Sequence, residues 1–102
     1  MTKIHYGGYV YILCNTKRTV LYTGVTSDLF NRIQRHRHHI YGNSFTAKYN
    51  CTRLVYYAAF ERIESAIAEE KRIKGGSRQQ KIDMITVMNP DWNDLWSQVQ
   101  HW

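Results

Sequence analysis

A chain of 102 residues, 43% hydrophobic and 14% aromatic, carries enough apolar surface for one core and too little for a second. No window approaches the roughly 20 apolar residues of a membrane span, and the opening Met1-Thr2-Lys3-Ile4-His5 lacks the apolar core of a secretion signal. One soluble, cytoplasmic domain over 1–102 with no membrane partner is the expectation.

The charge, +6 with a pI near 9.5, is unevenly spread. From Leu29 to Phe60 there is no acidic residue, while Arg32, Arg35, Arg37, Lys48 and Arg53 alternate with His36, His38, His39 and the aromatics Tyr41, Phe45, Tyr49, Tyr56 and Tyr57. Such a face suits a phosphate backbone, although a solvated basic surface has the same composition. Cys14 and Cys51 stand far apart without a C-x-x-C companion, which excludes a zinc knuckle and a disulfide framework and leaves two reduced core residues.

The β-formers of Gly8 to Cys14 and of Val20 to Val25, joined by the polar Asn15 to Thr19, predict a β-hairpin. Alternation puts Tyr9, Tyr11 and Leu13 on one face of the first strand and Val10, Ile12 and Cys14 on the other; Tyr22 and Gly24 share a face of the second. Thr26-Ser27-Asp28 caps a helix that begins at Leu29 and fades near Ile40-Tyr41-Gly42, with Leu29, Ile33, His36 and Ile40 in one stripe and Arg32 one turn from His36. A polar loop from Gly42 to Thr52 leads into a third strand, about Arg53 to Phe60.

Ile63, Ala66, Ile67, Glu70, Ile73 and Lys74 then recur at helical spacing, which sets Glu70 in an apolar stripe while Glu64 and Glu69 point elsewhere. Gly75-Gly76 stops that helix, and Ser77 caps another whose apolar side is Ile82, Ile85 and Met88 before Asn89-Pro90. Trp92, Leu95, Trp96, Val99 and Trp102 predict an amphipathic helix over about 91–102, packed on the domain or serving as a homodimer surface.

Phosphodiester hydrolysis needs an activated nucleophile, positive charge for the developing phosphorane and stabilisation of the leaving oxygen, usually by a divalent cation held on a carboxylate. Among eight acids, Glu70 alone combines a helical scaffold with an inward position. A buried carboxylate asks for a metal, a cation or several donors, so an ion pair with Arg32 or a lysine would serve equally well.

Val10-Tyr11 and, about ten residues on, Tyr22-Thr23-Gly24 resemble the paired half-motifs of the GIY-YIG nuclease superfamily. Arg32 to His36 resembles its R-x-x-x-H helix segment, Phe45-Thr46-Ala47-Lys48-Tyr49 its F-x-x-K-Y loop, and Ala66 to Gly75 its A-I-x-x-E-K-x-I-K-G helix; Asn89-Pro90-Asp91-Trp92 resembles the closing N-P-x-W of small standalone members. Together these blocks span about 8–95. Tyr9 and Thr23 stand where the motifs have glycine and isoleucine, and Gly76 where close relatives often carry tryptophan.

The resemblance implies an α/β (α+β) fold, a three-stranded antiparallel sheet flanked by helices. It further implies a single Mg²⁺ or Mn²⁺ on Glu70, with Tyr11 as general base, Tyr22 beside it, Arg32 on the phosphate and His36 relaying or positioning a proton. Arg35, Arg37, Lys48 and Lys74 are the expected nucleic-acid contacts. The implied activity is metal-dependent cleavage of DNA, structure-selective or weakly sequence-specific, with repair or recombination as its setting by analogy. A catalytically silent nucleic-acid-binding module is the alternative; a protein-interaction domain built on the tryptophan helix is a third.

Overall fold

A computed structural model describes residues 6–38 and 44–102. Its elements are β1 (Gly8–Cys14), β2 (Leu21–Thr26), α1 (Leu29–Arg37), α2 (Phe45–Lys48), β3 (Arg53–Phe60), α3 (Ile63–Lys74), α4 (Arg78–Met88) and α5 (Trp96–Val99). The strands form the three-stranded antiparallel sheet that the resemblance implied, and their order is β2-β1-β3.

β1 is central because both of its faces are apolar. Tyr11 and Leu13 enter one core with Leu29 and Ile33 of α1, Leu54, Leu95 and Val99, while Val10, Ile12 and Cys14 enter a second with Val55, Ala66, Ile73 and Ile85. The sheet is therefore covered on both sides, by α1 and α5 on the Tyr11 side and by α3 and α4 on the other. Both cysteines are buried and free, fitting the reduced core role. α3 comes close to β1 because a side-chain carbon on Gly8 would lie 2.8 Å from the Ala66 methyl and 2.8 Å from Ile63 Cδ1. A glycine on the strand facing an alanine on the helix lets the two pack closely.

Asp28 caps α1, accepting from the Asn31 N–H, and Ser77 opens α4 in a reciprocal capping box with Gln80. The expected end of α1 near Ile40 to Gly42 lies outside the described residues. Part of the anticipated polar loop is instead the short helix α2, with Ser44 as its cap. On α3, Ala66 and Ile73 are buried but Ile67 is exposed; on α4, Ile85 is buried while Met88 is exposed.

The tail departs most from expectation. In place of a helix over about 91–102, only Trp96–Val99 is helical, and Trp92 has a left-handed φ of 53°. The helical spacing of its apolar residues has another cause: Trp92 packs into the α3/α4 core, whereas Leu95, Trp96 and Val99 pack into the α1 core. One straight helix could not reach both faces of a sheet. The Asn89 amide donates to Val55 O and Asn93 O, the Leu95 N–H to Leu54 O, and the Asp94 carboxylate accepts from the Leu54 and Trp96 N–H groups. The tail is thus stitched to the start of β3, and the continuous helical face on which a homodimer was expected does not form. Among the described residues no helix is long and apolar enough to cross a membrane.

Candidate active site

The two motif tyrosines meet through strand register. Tyr11 pairs with Gly24 and Leu13 with Tyr22, so Tyr11 and Tyr22 are diagonal neighbours on one face, their ring centroids 6.3 Å apart. Gly24 is required by this arrangement, since a side chain there would run into the Cζ and hydroxyl of Tyr11. The glycine of the second half-motif is the slot for the tyrosine of the first.

His36, on the buried face of α1, lies over this pair, with ring centroids 5.9 Å from Tyr11 and 5.7 Å from Tyr22. Its Nε2 is 3.1 Å from the Tyr11 hydroxyl and its Nδ1 2.8 Å from Thr46 Oγ1, which is in turn 3.1 Å from Ser44 Oγ. Only 5% of His36 is exposed. Burial, reinforced by the charge of Arg32, depresses its pKa from 6.5 to about 4, so the ring is neutral at pH 7. A neutral imidazole has one donor and one acceptor nitrogen. Either Tyr11 donates to Nε2 while Nδ1–H donates to Thr46, or both bonds run in reverse.

Tyr22, Arg32, His36, Ser44, Phe45 and Thr46 line a cleft of about 410 Å³. Tyr11 is fully enclosed and lies behind this wall, so its hydroxyl communicates with the cleft through His36. Tyr22 is half-buried and faces the cleft directly. Lys48 is exposed on α2, its Nζ 5.4 Å from the Tyr49 ring centroid.

Glu70 occupies the half-buried position on α3 that its spacing called for, its side chain 14% exposed, but it pairs with Lys74 Nζ at 3.4 Å and does not line the cleft. Arg35 is exposed on α1. Arg37, one of the expected nucleic-acid contacts, makes an ion pair within the protein. It donates to Asp94 Oδ2 at 2.7 Å and to Thr52 O, and its guanidinium carbon lies 5.4 Å from the centre of the Trp96 ring, so it clamps the tail to α1. Among the described residues no three His, Cys, Asp or Glu side chains converge as a metal cluster.

Sequence reasoning missed Thr46, Ser44 and the function of Gly24. Thr46 lay inside the F-T-A-K-Y segment already singled out, but its bond to His36 spans a separation that periodicity does not reach.

Residues 7–83 match the family model described as the GIY-YIG catalytic domain. The chain is 34% identical over 84 residues to a UPF0213 protein of Syntrophus aciditrophicus, covering 81% of this chain and 93% of that one, and 42% identical over 81 residues to one of Staphylococcus haemolyticus, covering 76% and 92%. A solution NMR structure of a UPF0213 protein from Bacillus halodurans superposes with a TM-score of 0.55 at 31% identity, covering 85% of this chain and 90% of that one. The half-motifs, the sheet order and these matches agree, and the chain belongs to the GIY-YIG catalytic-domain family.

Proposed function

We propose that this protein is a divalent-metal-dependent endonuclease that hydrolyses DNA phosphodiester bonds with structure selectivity or weak sequence specificity. The observation that carries the reading is the hydrogen-bonded series Tyr11, His36, Thr46, which ends at a cleft that also holds Tyr22 and Arg32.

Arg32 binds the scissile phosphate through its fixed guanidinium fork. Tyr22, which faces the cleft, contacts the attacking water; once its own phenolic proton has passed to solvent, the phenolate takes the proton of that water, and a base so positioned contributes roughly 10²- to 10⁴-fold. Tyr11 acts from behind, holding the His36 ring in place. With its pKa pushed down to about 4 by burial and the charge of Arg32, His36 is a weak base, and full transfer of a phenolic proton to it is unfavourable in the free protein. An anionic phosphate beside Arg32 offsets the charge that helps keep His36 deprotonated, and so prepares the ring to take a proton once substrate is bound.

Glu70 fits a hard cation: it is a half-buried carboxylate whose lysine partner stands at 3.4 Å, and an ion such as Mg²⁺ takes one or two protein carboxylates with water and phosphate oxygens completing its shell. When bound there, the ion would supply charge stabilisation to a phosphate reaching from the cleft to Glu70, which lies outside the cleft lining. Lys74, Lys48 and Arg35 supply further backbone contacts. Purified protein should nick DNA in Mg²⁺ or Mn²⁺, with Glu70→Ala inactive yet still binding DNA, and Tyr22→Phe more impaired than Tyr11→Phe. Full activity of Glu70→Ala removes the metal role; salt-sensitive binding by the wild type without cleavage of linear, flapped, branched or single-stranded substrates leaves the binding module.

A further inference from the structure

We infer that Phe45 and Tyr49 form a stacking platform for an unpaired nucleobase next to the cleft, so that the preferred substrates are DNAs with a bulged, flapped or single-stranded nucleotide there. This rests on the nuclease reading and adds its substrate class. Phe45 and Tyr49 lie one turn apart at the two ends of α2, with ring centroids 4.7 Å from each other. Phe45 also stacks on Tyr22 at 6.0 Å and 29°, and it lines the cleft, so a ladder of three rings leads from the cleft wall to the surface.

The outer two rungs are 46% and 41% exposed, so both rings are open to a ligand from solvent. Thr46 between them is buried and tied to His36, and the Cys51 N–H closes back on Thr46 O, which anchors the backbone of α2. Charge identifies the occupant. No acid occurs from Leu29 to Phe60, Lys48 lies over the Tyr49 ring and Arg32 lies in the cleft. Two exposed rings, tilted 50° to each other and accompanied by cations, suit a base whose own phosphates lie beside it. In a duplex both faces of each base are already stacked, so an unpaired base is the partner that fits.

The test is binding in EDTA, where cleavage is not read, of a duplex carrying one bulged 2-aminopurine against the same duplex fully paired. Wild type should bind the bulged DNA at least ~10-fold tighter and quench its fluorescence. Tyr49→Leu should reduce that preference by roughly 5- to 100-fold, the range for one lost stacking ring, and Tyr49→Trp should keep it, with melting curves showing both variants folded. Equal affinity of wild type for the two duplexes, or a preference that survives Tyr49→Leu, overturns the platform. Preference without cleavage in Mg²⁺ or Mn²⁺ refutes the nuclease reading alone, and cleavage without preference refutes the platform alone.

Discussion

Acidifying the protein from pH 7 to pH 5 should weaken it through His36 in a way that one substitution isolates. The folded ring has a pKa of about 4 because it is buried and faces the Arg32 charge, whereas the unfolded chain restores the ordinary 6.5. The folded pKa is the lower one, so between the two values the unfolded state binds the extra proton. The contribution is complete above pH 6.5, declines as pH falls and levels off below about 4. Linkage gives a loss of about 2 kcal/mol between pH 7 and pH 5 and roughly 3 kcal/mol by pH 4. In a domain of this size the first figure corresponds to roughly 10 °C in melting temperature. The assay is urea unfolding of wild type and His36→Gln at pH 7, 6 and 5. Other titrating groups are common to both proteins, so the wild type should lose about 2 kcal/mol more than the variant over that range. Parallel losses, within ~0.5 kcal/mol, would refute a neutral, buried His36.

Gly24→Ala should displace the Tyr11 phenol, costing about 1 to 3 kcal/mol of stability by overpacking and lowering cleavage far more than a surface Gly→Ala change such as Gly75→Ala; an unaltered nicking rate would count against Tyr11 as a positioning residue. Thr46→Val strands His36 Nδ1 and should cost roughly 1 to 3 kcal/mol, with Thr46→Ser restoring both stability and cleavage. Thr23 buries a hydroxyl with no hydrogen-bond partner among the described residues, so Thr23→Val should stabilise by about 1 kcal/mol in thermal melts. A destabilised Thr23→Val protein would mean that the hydroxyl is satisfied.

Much of the architecture was legible because it rests on local rules. A run of β-formers marked β1, and the polar break after Cys14 marked the hairpin. A period near 3.6 marked α3 and α4, and hydroxyl and carboxylate caps marked helix starts. The same regularity misled in the tail, where Trp92 packs into one core and Leu95, Trp96 and Val99 into the other, so the helical spacing marked no single helix.

By itself, then, the sequence determined which residue types are present and which of them share a face: Tyr11 with Leu13, Tyr22 with Gly24, Arg32 one turn from His36, Glu70 on an inward stripe. Tertiary structure alone decided which faces meet. It brought Gly24 opposite Tyr11, closed His36 onto Thr46, enclosed Tyr11 while leaving Tyr22 in the cleft, and paired Arg37 with Asp94. Periodicity records only the direction of a side chain relative to its own element. Burial, hydrogen-bond partners and a histidine pKa near 4 depend on elements distant in sequence.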